Sequence, residues 1–362
     1  MLSPERSAAK EGAMMQERIE AKWIRAFETV FGLCAVEPGD AVAILSESQS
    51  RGINVQLAEL ALSAMGARPF HVVLPTPPQS APVPVRSTGA SDAVQGLEPV
   101  IEALGASALF VDCTVEGMLH APELPEILKK GTRGLMISNE HPEALERLAP
   151  DAELEGRVKT GIKMLRGASE MRVASDAGTD LTIRVAGAAA GGGWGFTKRP
   201  GTMTHWPGGL CLCFPASGSV NGRLVLDRGD VNLTLKRYME APVTLTIEED
   251  YVTDIAGDNL DADLFRAYID AWGDREAYAV SHVGWGMNPA ARWESMALYD
   301  KTDFNGTELR AFAGNFLYST GANEVAGRHT LGHFDLPLRH CTVSLDGRTV
   351  VDRGVLQGDL AA

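Results

Sequence analysis

The sequence has no concentrated run of basic residues. Its 33 Lys and Arg are outnumbered by 47 Asp and Glu, which gives a formal net charge of −14. Binding to nucleic-acid phosphates needs clustered Lys and Arg, so this composition argues against a nucleic-acid partner. Acidity of this size mainly favours solubility.

The sequence also lacks a long apolar run. No stretch approaches the roughly 20 apolar residues of a membrane-spanning helix. Residues 1–25 mix charges with alanine, unlike the apolar centre of a secretory signal. The five cysteines are scattered and odd in number, which is typical of reduced thiols and not of a disulfide framework. We therefore expect a cytoplasmic protein with no membrane partner.

A glycine-rich dinucleotide fingerprint is missing after the first predicted strand, at residues 41–45, where Ser-Glu-Ser-Gln-Ser follows. A nicotinamide or flavin cofactor is therefore not expected. The glycine-rich run at residues 187–195 contains many alanines and lacks the Gly-Lys-Ser/Thr ending of a phosphate loop. We interpret it as a flexible or closely packed loop.

The first half of the chain alternates helical and strand patterns, which is typical of a parallel α/β layer. Apolar residues with helical spacing between about residues 12 and 33 predict an opening amphipathic helix. The further predicted strands are 70–74, 108–111 and 133–137, and the further predicted helices are 55–65, 94–104 and 122–129. Residues 75–91 are rich in Pro, Ser and Thr and predict a loop. Residues 1–165 are therefore predicted to form one α/β domain.

The second half changes to short alternating strands separated by Gly, Asn and Asp. The predicted strands are 181–185, 223–226, 231–233, 243–247, 251–255, 341–345 and 348–351, with one helix at 260–272. Asn221-Gly222 and Asp346-Gly347 predict hairpin turns. Residues 166–362 are therefore predicted to form a β-rich α+β domain, which carries the candidate metal site.

The strongest candidate for a functional site is the stretch 329–337, His-Thr-Leu-Gly-His-Phe-Asp-Leu-Pro. On an extended strand, His333 and Asp335 point to the same face. A second His would complete the two-His-one-carboxylate set that holds Fe(II), Mn(II) or Zn(II) and leaves positions open. The best candidate is His282, in a glycine-containing segment that ends at Asn288-Pro289. The alternative interpretation is a core histidine bonded to a neighbouring aspartate.

Several motifs of the second half resemble the signatures of thermophilic two-metal aminopeptidases of the aminopeptidase T type. These motifs are Gly178–Leu181, Pro207–Gly209, Gly284–Pro289 and His333–Asp335. Where that family has a metal-binding Glu, this chain has Leu210. A second Glu ligand aligns with His282, and a His ligand aligns with Asn315. Because Leu210 cannot bind a metal, the two-metal peptidase site is broken.

The remaining set of His282, His333 and Asp335 is similar to that of the 2,5-dihydroxypyridine 5,6-dioxygenase family, Fe(II) enzymes of aerobic nicotinate breakdown. The resemblance extends over nearly the full chain. It includes Gly117-Met118-Leu119-His120, where the family places a gating Leu and an active-site His. The residues alone favour a surface loop position for His120, whereas the resemblance implies that it lies in the active site.

The resemblance implies a mononuclear non-haem Fe(II), extradiol-like dioxygenase. It would convert a small aromatic N-heterocycle, 2,5-dihydroxypyridine, and O2 to N-formylmaleamate. His120 would be the general base, since an imidazole titrates near neutrality. We expect the pocket in a cleft between the domains, with the first domain as a lid, and the resemblance implies a homo-oligomer. The competing hypotheses are an aminopeptidase-type metal-dependent hydrolase and a non-catalytic metal-binding or ligand-binding protein.

Two other histidines lie near these motifs. His205 either lines the pocket or caps a turn. His329 stands four residues before His333, the spacing of two zinc ligands on a helix, but the glycine and proline nearby disfavour a helix. We therefore assign His329 a supporting or structural position.

Overall fold

The computed structural model describes residues 18–78, 91–137, 139–301 and 305–361. Within these residues the helices are α1 (Ala21–Leu33), α2 (Gly52–Ala64), α3 (Glu98–Gly105), α4 (Leu124–Lys129), α5 (Pro142–Arg147), α6 (Ala152–Gly167), α7 (Leu260–Ala271), α8 (Ser295–Leu298) and α9 (Thr307–Ala311). Short 3-10 helices span Arg275–Tyr278, Glu324–Ala326 and Gly358–Leu360. None of the described helices is both long and apolar enough to cross a membrane.

The strands of the first half and of the junction are β1 (Ala41–Glu47), β2 (Arg68–Leu74), β3 (Leu109–Asp112), β4 (Arg133–Ile137), β5 (Glu170–Ala174), β6 (Asp180–Arg184), β7 (Ala189–Gly193), β8 (Met203–Trp206), β9 (Leu210–Phe214) and β10 (Val220–Leu226). The remaining strands are β11 (Val231–Asn232), β12 (Arg237–Tyr238), β13 (Val243–Glu248), β14 (Tyr251–Ala256), β15 (Val280–Gly286), β16 (Phe316–Thr320), β17 (Phe334–Leu338), β18 (Thr342–Leu345), β19 (Arg348–Asp352) and β20 (Val355–Leu356).

A five-stranded parallel sheet forms the centre of the first half, in the order β2-β1-β3-β4-β8. Helices α1 and α2 cover one face, where Val42 and Ile44 of β1 lie. Helices α3 and α4 cover the other face, where Ala43 and Leu45 lie. Because successive side chains of a strand point to opposite faces, both faces of β1 are buried. This double burial explains the unbroken apolar run from which the strand was predicted.

Two elements connect the halves across the proposed division at residue 165. Strand β8, which no sequence pattern predicted, comes from the second half but pairs with β4 at the edge of the first sheet. Helix α6 comes from the first half, yet its Val158, Ile162 and Leu165 lie in the core of the second.

The residues predicted as the opening helix are helical from Ala21 onward. Residues 12–17 and 79–90 of the predicted helix and loop lie outside the described residues.

Two antiparallel sheets form most of the second half. The larger has the strand order β14-β13-β10-β6-β5-β18-β19-β20, and the smaller has the order β17-β16-β15-β9-β7. Their shared core contains Trp285, Tyr318 and Phe334. Helix α7 packs against the smaller sheet, with the ring centroids of Phe265 and Phe334 4.2 Å apart. The predicted fold class, an α/β half followed by a β-rich α+β half, is confirmed.

One of the two predicted hairpin turns is present. Asp346-Gly347 joins β18 to β19, and both residues have positive φ, +47° and +82°, as a type I′ turn requires. The prediction at Asn221-Gly222 is wrong, because both residues lie inside β10. A Cβ on Gly222 would lie 2.2 Å from the Asp180 carbonyl oxygen. This glycine therefore allows two strands to approach closely and does not make a turn.

The glycine-rich run is an edge strand, so its interpretation as a loop is wrong. Five of its residues form β7, which pairs with β9. The prediction of close packing for this run is correct, since a Cβ on Gly192 would lie 2.3 Å from the Leu210 carbonyl oxygen. Small side chains are required because β7 lies between α6 and β9.

Candidate metal centre

Neighbouring strands of the smaller sheet bring the predicted ligands together. His282 lies on β15, Asp335 lies on β17, and β16 runs between them with Ser319 directly opposite Asp335. His333 immediately precedes β17. Its Nε2 atom is 3.2 Å from Asp335 Oδ2, and His282 Nε2 is 3.7 Å from Asp335 Oδ1. The ring centroids of the two histidines are 5.8 Å apart. The two histidines and the carboxylate therefore form one buried cluster.

Two further side chains, which the sequence analysis missed, fix the Asp335 carboxylate. Arg310 Nε donates a 2.6 Å hydrogen bond to Asp335 Oδ2, and Ser319 Oγ donates to Oδ1. Burial alone would raise the pKa of Asp335, but the charge of the Arg310 guanidinium, together with the contact with His333, outweighs it and holds the pKa well below its usual range. The carboxyl group is therefore ionised, as a metal ligand must be.

The hydrogen bonds of Ser281 fix the tautomer of His282. Ser281 Oγ lies 2.5 Å from the Ala322 carbonyl oxygen and 3.0 Å from His282 Nδ1. Because a carbonyl only accepts, the hydroxyl proton points to Ala322, and Ser281 Oγ accepts from Nδ1–H. Nε2 then carries the lone pair on the side of Asp335. Burial lowers the pKa of His282 to about 3, so the ring is neutral and ready to bind a metal.

His120 reaches this cluster from the first half, on the loop between β3 and α4. Its ring centroid is 6.4 Å from that of His333, so the two halves of the protein meet here. Burial lowers the pKa of His120 to about 4. The expectation that this ring titrates near neutrality is therefore wrong, and His120 is a neutral imidazole at pH 7.

A buried carboxylate holds the loop that carries Leu119 and His120. Asp112, the last residue of β3, accepts hydrogen bonds from Thr114 N at 3.0 Å, from Thr114 Oγ1 at 2.7 Å and from Met118 N at 2.7 Å. Leu119 and His120 follow directly and are half-buried. Asp112 therefore fixes the backbone at Thr114 and Met118, directly before Leu119 and His120, and the His120 ring lies beside His333.

Comparisons with known proteins identify the family. A family model described as NicX, 2,5-dihydroxypyridine 5,6-dioxygenase, matches residues 22–358. The chain belongs to this family. The 2,5-dihydroxypyridine 5,6-dioxygenase of Pseudomonas putida KT2440 is 36% identical over 346 residues, which cover 94% of this chain and 97% of that protein. A solved structure of the dioxygenase from this strain has a TM-score of 0.89 and 35% identity, covering 94% of this chain and 99% of that one.

A second solved structure, wild-type AmpT from Thermus thermophilus, is more distant. It has a TM-score of 0.58 and 14% identity, and the match covers 91% of this chain and 99% of that one. This likeness shows the shared fold alone, and it agrees with the relation to aminopeptidase T-type proteins that the motifs indicated. In this dioxygenase-family chain, Leu210 is buried at the start of β9. Asn315 Nδ2 donates to three carbonyls at the end of α9, and Asn315 Oδ1 accepts from Gly286 N.

The family suggests a metal cofactor, and the chemistry of the donors fits one. Within the described part of the chain, no three His, Cys, Asp or Glu side chains stand where they could hold a metal ion as they are. Two donors bound at about 2.1 Å to one ion at right angles lie about 3 Å apart. The His333–Asp335 distance of 3.2 Å is close to this separation, and the His282–Asp335 distance of 3.7 Å is longer. Holding an ion therefore requires side-chain adjustments around an otherwise suitable set of two imidazoles and one carboxylate.

His205 and His329, the two further histidines near the motifs, lie outside this cluster. His205 Nδ1 is 2.6 Å from the Pro207 carbonyl oxygen, an arrangement that supports the turn-capping alternative. Burial lowers the pKa of His205 to about 4. His329 is exposed. Strand periodicity paired His333 with Asp335, and the glycine-containing segment before Asn288-Pro289 supplied His282 as the candidate second histidine. The sequence held no signal for Arg310, Ser319 or Ser281, whose roles depend on contacts between strands and helices.

Proposed function

We propose that the protein is a mononuclear non-haem Fe(II) dioxygenase. It cleaves the ring of 2,5-dihydroxypyridine between C5 and C6 and adds both atoms of O2 to give N-formylmaleamate. The observation that carries the proposal is the buried cluster of His282, His333 and Asp335, in a chain of the 2,5-dihydroxypyridine 5,6-dioxygenase family. Two histidines and one carboxylate are the ligand set of many non-haem Fe(II) oxygenases and leave positions for substrate and O2.

The residues around the cluster support this chemistry. Bound Fe(II) would supply positions for the ring and O2 and a route for electrons between them. His120 is neutral, so one ring nitrogen is free to accept a proton from a ring hydroxyl. With a pKa of about 4, it would accept that proton only from a hydroxyl acidified within the site. Arg310 adds a positive charge beside Asp335, which favours the anionic form of the ring.

The position of His120 supports a lid role for the first half. The proposed domain of residues 1–165 supplies the loop with Leu119 and His120, and the proposed domain of residues 166–362 supplies the three ligands. Leu119 is half-buried beside His120, where it would gate entry of the ring. A cytoplasmic location and a homo-oligomeric assembly are part of the same proposal.

The test is anaerobic reconstitution with Fe(II), followed by 2,5-dihydroxypyridine and air. We expect O2 uptake equimolar with loss of the substrate's ultraviolet band, dependent on Fe(II) and not restored by zinc. The product should have the mass of the substrate plus that of O2. Absence of uptake, together with peptide hydrolysis activated by zinc or cobalt, would support the aminopeptidase alternative. In that case the argument from Leu210 would be wrong.

A further inference from the structure

Helix α9 carries the arginine that binds the Asp335 carboxylate. The helix has only five residues, Thr307–Ala311, and Arg310 in its last turn donates through Nε to Asp335 Oδ2 at 2.6 Å. A helix of this length has no stability of its own. The position of Arg310 therefore depends on the groups that hold the two ends of α9.

A buried glutamate from the first half holds the N-terminus of α9. Glu140 follows β4 and is 1% exposed. Its Oε1 atom accepts hydrogen bonds of 2.8 Å from Gly306 N and from Thr307 N, and its Oε2 atom accepts one of 3.1 Å from Asn305 N. These amides have no partner within the helix itself, and a carboxylate complements the partial positive charge there. The first half thus supplies a cap for a helix of the second half.

A second contact joins the same two segments. Glu308 of α9 is fully buried, and its two carboxylate oxygens accept hydrogen bonds from Arg147 Nη1 at 2.6 Å and Nη2 at 3.0 Å. Arg147 is the last residue of α5, seven residues after Glu140 in the sequence. A paired arginine–carboxylate contact of this kind fixes orientation as well as distance. The segment from Glu140 to Arg147 therefore holds α9 at two points.

The C-terminal end of α9 is held from within the second half. Asn315 Nδ2 donates to the Arg310 carbonyl oxygen at 2.9 Å and to the Phe312 carbonyl oxygen at 2.9 Å. Asn315 is fully buried. With its N-terminus held by Glu140 and its C-terminus by Asn315, α9 has little freedom. The Arg310 side chain is thereby directed to Asp335.

We propose that Glu140 and Arg147 are positioning residues for the metal centre. Through α9 they place the Arg310 guanidinium against Asp335, so that docking of the first half on the second sets the orientation of a ligand. This inference rests on the proposed function, in which Asp335 binds the metal. Residues that orient a metal ligand without touching the metal typically change metal affinity or activity by about 10- to 100-fold when replaced.

The first experiment measures Mn(II) binding by electron paramagnetic resonance on the full chain. We expect Glu140→Gln to weaken Mn(II) binding by about 10-fold. The substitution replaces one carboxylate oxygen, which accepts from backbone N–H groups at the N-terminus of α9, with an NH2 group that can only donate. The matched control is Glu143→Gln, an exposed glutamate on α5, three residues along the chain. The control should bind Mn(II) as the wild type does. Equal affinity for both variants would overturn the inference.

A double variant separates positioning from general loosening of the fold. Arg310→Met keeps a long side chain but removes the contact with Asp335. If Glu140 acts through Arg310, Glu140→Gln should cause no further loss of Mn(II) affinity when Arg310→Met is already present. Independent losses that multiply would show that Glu140 does not act through Arg310. If Glu140→Gln does not fold, Arg147→Lys is tested in the wild type and in Arg310→Met. It should weaken Mn(II) binding in the wild type and cause no further loss in Arg310→Met.

A further variant separates this inference from the proposed function. His333→Ala should abolish Mn(II) binding if His333 is a ligand. If the wild type binds Mn(II) and His333→Ala binds it equally well, the proposed site is wrong and this inference is wrong with it. If binding depends on His333 but not on Glu140 or Arg147, only the positioning proposal is overturned.

Discussion

Replacing Asp112 with Asn would show whether the buried carboxylate behind the His120 loop titrates as the structure indicates. Asp112 is fully buried, and burial raises its pKa from an ordinary value of 3.8 to about 6, despite the opposing hydrogen bonds from Thr114 and Met118. An acid with a raised pKa in the folded state stabilises the fold below its unfolded pKa. This contribution is lost as the pH rises through the folded pKa. A shift of about two units corresponds to about 3 kcal/mol.

The wild type should therefore lose about 3 kcal/mol of unfolding free energy through this group between about pH 4 and about pH 7, and Asp112→Asn should not. The assay is urea unfolding of both proteins across this range. The measured quantity is the difference between their unfolding free energies, which cancels the other titrating groups. The unfolding free energy of the variant should increase relative to that of the wild type as the pH rises. A difference that does not change with pH would refute the reasoning.

The same variant tests the loop. Asn keeps one oxygen for Thr114, but its NH2 group would face Met118 N–H, which leaves a buried donor without an acceptor at a cost of about 1–3 kcal/mol. The loop that carries His120 should shift, and turnover should fall while Mn(II) binding at His282 stays intact. A suitable control is Asp230→Asn. Burial raises the pKa of Asp230 to about 7, and its side chain bonds to a segment far from His120 along the chain.

Three other replacements have defined outcomes. His120→Gln should keep bound iron but lose turnover by ~10²- to 10⁴-fold, the usual contribution of a positioned base, measured as O2 uptake. His282→Ala should abolish Fe(II) binding, measured as iron content after desalting, because too few protein ligands remain. Asn315→His should weaken Mn(II) binding by about 10-fold without creating a peptidase, because it removes the carbonyl contacts that hold α9; unchanged affinity would contradict this.

Local patterns were enough to predict much of this protein. The alternation of side-chain direction along an extended strand predicted that His333 and Asp335 share one face. The structure brings the two side chains together, although His333 immediately precedes β17. The Asp346-Gly347 pair predicted a turn because these two residue types adopt the positive φ angles that a type I′ turn requires. The same kind of signal failed at Asn221-Gly222, where the neighbouring strand β6 requires a glycine and no turn is formed.

The supporting residues could not be predicted because their roles arise from contacts distant in sequence. Arg310 and Asp335 are 25 residues apart, and Glu140 is separated from Gly306 by 166 residues. The lowered pKa of His120 likewise depends on burial, at a site where the two halves meet. The spacing of residues in the sequence does not predict such burial. The four-residue strand β8 is too short for periodicity to reveal it.

The contacts of Asn315 give this residue a structural role in the chain. The sequence motifs align this residue with a metal-binding His of the two-metal aminopeptidases, yet here its amide is committed to the carbonyls at the end of α9. The apolar Leu210 removes a second ligand position. The structure instead sets Arg310 beside the single carboxylate, so a divalent ion bound at Asp335 would keep an excess of positive charge. Under the proposed function, such a centre would favour an anionic ring as its ligand, because one carboxylate neutralises only part of the charge of the ion and of Arg310.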